Sequence, residues 1–202
     1  MGNNTVQSLT TASGLAELAS QLREAKGYYH DPESLGDVKE TVSRILAAHP
    51  ELSGMRLKLD PRISGGYLPG SDTIMLGVVN PSVIAHELAH AGNLRAAPLY
   101  SKILRVVNRA AELNNVAALP AMLALRVFVD NHARRSEIFN ILSGASSVLA
   151  APGLTEELGA SIEAVKDAPN KAQALKTLIP AFLQHTVHAL APTGIYQVGK
   201  LL

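Results

Sequence analysis

His86, Glu87 and His90 stand in the order H-E-x-x-H, and this is where the chain could do chemistry. On a helix, side chains four apart lie one above the other on one face, so both imidazoles can reach a single divalent cation. Glu87 follows the first imidazole and projects beside the shared focus, where a carboxylate can take a proton from a metal-polarised water. The chemistry implied is hydrolysis by activated water. The ion implied is Zn²⁺, held by His86 and His90 with Glu87 as general base.

A catalytic zinc ordinarily takes three protein ligands and leaves one position open. Asn93 and Ala96 occupy the places where a continued H-x-x-G-x-x-H pattern would have Gly and a third His, so the third ligand must come from elsewhere. The chain has no cysteine, which leaves a carboxylate. Two glutamates compete. Glu112 lies 22 residues beyond the second histidine (112 − 90), suiting a short loop and a returning helix; Glu137 lies 47 beyond it (137 − 90), in Arg134-Arg135-Ser136-Glu137. Water attack on a carbonyl also calls for a donor to the developing oxyanion. Tyr196, His188, His185 and Arg135 have suitable chemistry, and Tyr196 and His188 are the two retained.

The elements that must position these groups are legible around the motif. Asn80 is a good helix N-cap and Pro81 suits the first helical position. Val83, Ile84 and Ala85 lead apolar into the motif. Upstream, residues 72–77 read as a short strand after the turn-like Pro69-Gly70-Ser71. Met55, Leu57 and Leu59 alternate with polar residues as a half-buried strand, which suggests antiparallel pairing of 55–60 with 72–77. Residues 61–71, with Gly65-Gly66 and Pro69-Gly70, read as turn. Helical faces are predicted by Leu15, Leu18, Ala19 and Leu22, and again by Val38, Val42, Ile45 and Leu46. Beyond Asn80 the pattern predicts helices over about 81–95, 98–115, 118–132, 134–149, 155–167 and 170–190, divided at glycines and prolines.

Composition narrows the classes. With 202 residues, 47% of them hydrophobic, the chain can build a sizeable core. A net charge of +1 and the lack of a basic patch interleaved with aromatics speak against nucleic acid. The first residues show no basic stretch before an apolar core, so no secretory signal is expected, and Val6 stands where myristoylation needs Ser or Thr. A cytoplasmic or membrane-peripheral location is expected. Residues 138–155 and 177–199 carry no formal charge, yet both include proline, glycine and polar side chains. They are less apolar than a typical spanning helix of about 20 residues, so the sequence favours buried helices over membrane insertion.

The order strand, H-E-x-x-H helix, long apolar helical excursion, then Arg134-Arg135-x-Glu137 opening a helix resembles the membrane-linked gluzincins, the heat-shock membrane proteases and prenyl-protein endopeptidases. The resemblance covers residues 72–95 and 134–145, and only H-E-x-x-H is specific within it. It implies a metallopeptidase in which His86, His90 and Glu137 bind zinc, Glu87 is the base, and an extended peptide or protein substrate lies along the edge of the 72–77 strand. That family's glutamate belongs to an E-x-x-A-D or E-x-x-x-D pattern; here Ile141 replaces the aspartate, with Asn140 one position earlier.

The expected architecture is α+β and mostly α: a flexible segment 1–12, then a single zincin-like domain, 13–202, with a small antiparallel sheet before the H-E-x-x-H helix. The rival expectation is a non-catalytic structural or assembly protein, in contact with a membrane, that keeps such a fold and its metal site.

Overall fold

The computed structural model describes residues 7–8, 35–52, 54–59, 65–76 and 80–201. The protein is α+β and mostly α, with a small sheet ahead of the motif helix. The helical face expected at Leu15 to Leu22 falls outside the described residues, as does most of segment 1–12. Gln7–Ser8 of that segment forms a short strand, β1.

What reads as one domain in sequence gathers into two compact units: residues 1–98 with 159–180, and residues 99–158 with 181–202. In the first unit, α1 (Leu35–Ala48) and a single 3-10 turn (Pro50–Leu52) precede β2 (Arg56–Leu59), β3 (Gly65–Leu68) and β4 (Thr73–Leu76). The strand order is β1-β2-β4-β3. β1 runs antiparallel to β2, and β3 antiparallel to β4 with Tyr67 opposite Ile74.

Two details differ from expectation. Residues 61–71 yield a strand, β3, out of a stretch that reads as turn. That strand then sets the direction of β4: an antiparallel β3–β4 hairpin returns the chain alongside β2, so β2 and β4 pair parallel, with Leu57 opposite Ile74.

The core of this unit joins Val42 and Ile45 of α1, Ile74 and Leu76 of β4, and Ile84, Leu88 and Ala91 of α2 (Pro81–Ala96). Ala164 belongs to the same core, near the end of α4 (His132–Asp167), as does Leu178, in the first turns of α5 (Lys171–Leu201).

The second unit is made of α3 (Pro98–Phe128) and the adjoining stretches of α4 and α5. The helices expected as 98–115 and 118–132 form the one helix α3, and those expected as 134–149 and 155–167 form α4. Pro120 and Pro152 lie inside them, and α5 runs through Pro180 and Pro192. An internal proline removes one hydrogen bond and crowds the carbonyl four residues back, at about 3 kcal/mol. Helices of 31 to 36 residues retain enough other bonds to stay continuous.

Candidate metal centre

The motif helix begins where the sequence places its start. Asn80 has extended backbone, φ −133° and ψ 133°, and its side chain accepts a 2.8 Å hydrogen bond from the Ser82 amide. Pro81 follows at the first helical position. The apolar face of Ile84, Leu88 and Ala91 is fully buried, which fixes the rotation of the helix and thereby the direction of the motif.

His86 and His90 converge. Their Nε2 atoms are 2.9 Å apart and their rings meet edge to face at 85°. Two nitrogens sharing one tetrahedral zinc at about 2.0–2.1 Å stand roughly 3.3 Å from each other, so a small opening of the pair admits an ion. The Nδ1 atom of His86 lies 3.4 Å from Ser161 Oγ on α4. A proton donated from Nδ1 to that hydroxyl leaves the Nε2 lone pair for a metal, the usual arrangement around a ligating histidine.

Ser161 also locates the third donor. Glu157 is one helical turn before it on the same face of α4. One ligand atom each from His86, His90 and Glu157 lies within 4.8 Å of the others. Small residues permit the approach. Ala160 and Ala164 are fully buried, and Gly159 faces Asn93 of α2, whose Nδ2 atom would lie 3.9 Å from an added Cβ. The donor set of two imidazoles and one carboxylate suits zinc. His185 Nδ1 lies 3.4 Å from Glu157 Oε1 and orients that carboxylate.

Glu87 is buried, and the start of β3 passes close over it: a Cβ at Gly65 would lie only 2.7 Å from Glu87 Oε1. The φ of 157° at Gly65, which L side chains rarely adopt, favours glycine there, and a side chain would also displace the Glu87 carboxylate. The far end of α2 is held by Arg95, whose Nε donates to Asp72 Oδ1 at 2.9 Å and whose guanidinium pairs with the same carboxylate. Tyr67 of β3 donates to Asp72 Oδ1 at 2.8 Å. Burial pushes the Asp72 carboxyl up, but the Arg95 and Tyr67 hydrogen bonds outweigh it and hold it below the usual carboxylate range. Burial, then the hydrogen bond to Asp72, raises the Tyr67 hydroxyl.

Among the described residues the ligand-competent group is His86, His90 and Glu157, and the expected carboxylates are outside it. Glu137 is exposed and 20 residues before Glu157 on α4 (157 − 137), a rise of about 30 Å. Glu112 is exposed on α3. Ile141, at the family's aspartate position, is exposed as well, and Asn140 instead accepts a 3.1 Å bond from Lys200 Nζ. Tyr196 is 2% exposed, stacks on Phe139 and bonds Asn114 Oδ1 at 3.4 Å, as a core residue does rather than an oxyanion donor. His188 is exposed.

Sequence reasoning missed Glu157 because Pro152-Gly153 reads as a helix break. Glu156-Glu157 then looks like the acidic first turn of a new helix. The available signal was the small-residue spacing of Ala160, Ala164 and Ala168, which marks a face for close packing. Comparison with protein-family models, with curated proteins and with solved structures gives no match.

Proposed function

We propose that the protein is a zinc-dependent metallopeptidase, with His86, His90 and Glu157 as metal ligands and Glu87 as general base. The observation carrying this reading is the convergence of the two Nε2 atoms, 2.9 Å apart, with a carboxylate from a helix 67 residues further on (157 − 90). A bound zinc supplies Lewis acidity and brings the pKa of water toward neutrality. Glu87 takes the proton from the attacking water on its carboxylate and passes it to the leaving nitrogen. Its burial keeps the carboxylate away from bulk solvent. Ser161 fixes the His86 ring, and His185 orients Glu157.

The substrate's place moves one strand outward from the sequence expectation. β4 lies between β2 and β3, so its hydrogen-bonding edges are taken, whereas among the described residues β3 is the outer strand, and it begins at Gly65 beside Glu87. An extended peptide adding to the outer edge of β3 supplies its backbone hydrogen bonds there and passes the general base.

The test is metal analysis paired with cleavage of an unfolded protein. Wild type is expected to carry one zinc per chain and to cleave; Glu87→Gln is expected to keep the zinc and lose about 10²–10⁴-fold in rate. Full activity in Glu87→Gln refutes the assignment of the base. Stoichiometric zinc with no turnover in wild type favours the structural role instead.

A further inference from the structure

In the second unit a small apolar core of Ala118, Met122, Phe139 and Tyr196 is flanked by polar contacts between the helices. Where its helices meet, polar side chains bond one another: Asn114 Nδ2 donates to Ser146 Oγ at 2.9 Å, Gln197 Nε2 to Ser143 Oγ at 2.8 Å, and Ser147 Oγ lies 3.1 Å from Thr193 Oγ1. Ser143 and Ser146 are buried. Large apolar side chains point outward on all three helices: Val116 is 78% exposed, Val148 and Val187 are each 72%, and Leu123 and Val198 are also exposed. A bundle surrounded by water buries such residues and exposes the serines. Small and polar contacts between helices with an aliphatic exterior are what hydrocarbon surroundings select.

The dimensions agree. The Met122 and Phe139 side chains both crowd Gly199, Asn114 meets Ser146, and Asn108 faces Gly153, so α3 and α4 run antiparallel in register. On α4 the 18 residues 138–155 carry no formal charge and rise about 27 Å. On α5 the part of the uncharged stretch within this unit, 181–199, rises about 28 Å. On α3, Arg109 and Arg126 are 17 residues apart (126 − 109), about 26 Å, with Glu112 the one other charge between them, a turn from Arg109. The hydrocarbon core of a bilayer is about 30 Å thick. Among the described helices α4 alone is long and apolar enough to cross a membrane by composition; its best 18-residue window has a mean hydropathy of 1.3 and is 22% buried.

Charge marks both limits of the apolar belt. Arg126, Arg134, Arg135 and Lys200 gather at one end, where the Lys200–Asn140 bond sets the end of α5 beside the start of α4. At the other, Lys102, Arg105 and Arg109 stand with Glu112, Glu156 and Glu157. Charged residues of both signs thus bound the uncharged belt, and the first margin, the more basic one, complements anionic headgroups. The internal prolines also suit helices in a bilayer, where proline is commoner than in soluble ones.

We infer that the second unit is embedded in a lipid bilayer, its apolar belt facing acyl chains and its charged margins facing the headgroups. The inference rests on the apolar belt and not on the metal ligands, although Glu157 and His185 belong to the same unit; its failure would leave the peptidase reading untouched.

Because the chain has no cysteine, single labels can be placed without background. The full chain is purified in detergent and reconstituted into vesicles of phosphatidylcholine and phosphatidylglycerol. An environment-sensitive fluorophore is attached in Val116→Cys, Val148→Cys and Val198→Cys, with Glu40→Cys on α1 as the control. The protein is expected to float with the vesicles through high salt and alkaline carbonate. The three belt labels are expected to shift to the blue and to be quenched by lipids brominated on their acyl chains, while the Glu40→Cys label does neither. Release by salt overturns the inference. Belt labels that escape acyl-chain quenching, or that are already shielded in a detergent-free soluble oligomer, overturn it too, the last because a second copy then covers the face.

Discussion

Glu157 and Glu137 sit on one helix and differ in what their turn of that helix faces. Glu157 shares its face with Ser161, which reaches His86, whereas Glu137 is exposed about 30 Å away along the axis. The two can be separated by a pair of charge-neutral substitutions. Glu157→Gln replaces an anionic ligand with a weak neutral one and is expected to lose zinc on dialysis, with activity falling in step. Glu137→Gln is expected to keep both. Metal content by elemental analysis reads the difference, and zinc loss in Glu137→Gln but not in Glu157→Gln would reverse the ligand assignment. His86 matters at the same scale, because the hydroxyl opposite its Nδ1 decides which ring nitrogen has a free lone pair.

At the scale of elements, the motif helix is pinned at both ends. Asn80 caps its start, an interaction typically worth about 1 kcal/mol. Arg95 ties its last turn to the β3–β4 hairpin through Asp72. That hairpin turns at Asp72, whose φ of 51° is a left-handed conformation that aspartate tolerates better than most side chains. Since the folded protein holds the Asp72 carboxyl below its ordinary value, the ion pair stabilises fully above that ordinary value, near 3.8, and its contribution is lost as pH falls through the lower folded value. Asp72 is 37% exposed, so solvent screening keeps the contribution to about 0.5–1 kcal/mol. Asp72→Asn is therefore expected to be less stable than wild type by about that amount at neutral pH. The gap should close as both proteins are acidified below the carboxylate range. Denaturant melts across pH check this, and a gap constant down to strong acid would show that the ion pair is not its source.

At the scale of the whole molecule, a metal held by the proposed ligands His86, His90 and Glu157 would close a long loop of chain, from α2 to α4. An ion bound only by the folded state stabilises it by mass action, about 2.7 kcal/mol at a free concentration one hundred times its dissociation constant. Chelation is expected to lower the midpoint of thermal unfolding in detergent micelles, with stoichiometric zinc restoring it. No shift on chelating a zinc-loaded sample would mean that the ion contributes nothing to the fold. A lipid-facing second unit also explains why the sequence looks ambiguous. Stretches 138–155 and 177–199 fall short of a typical spanning helix because their serines, glutamine and threonine bond one another between helices.

Much of the site was legible in the residues alone, for a reason of range. The capped start of α2, the strand before it, and the His86–Glu87–His90 arrangement depend on neighbours within a few positions, where helical periodicity and capping chemistry act. The third ligand, the parallel pairing of β2 with β4 and the continuity of α3 and α4 through Pro120 and Pro152 depend on partners far along the chain. Local rules read Pro152-Gly153 as a break and so hid Glu157 at a false helix start. Only packing between α2 and the small-residue face of α4 decides which of the chain's glutamates meets the two imidazoles, because coordination selects by position in space and the sequence records only order.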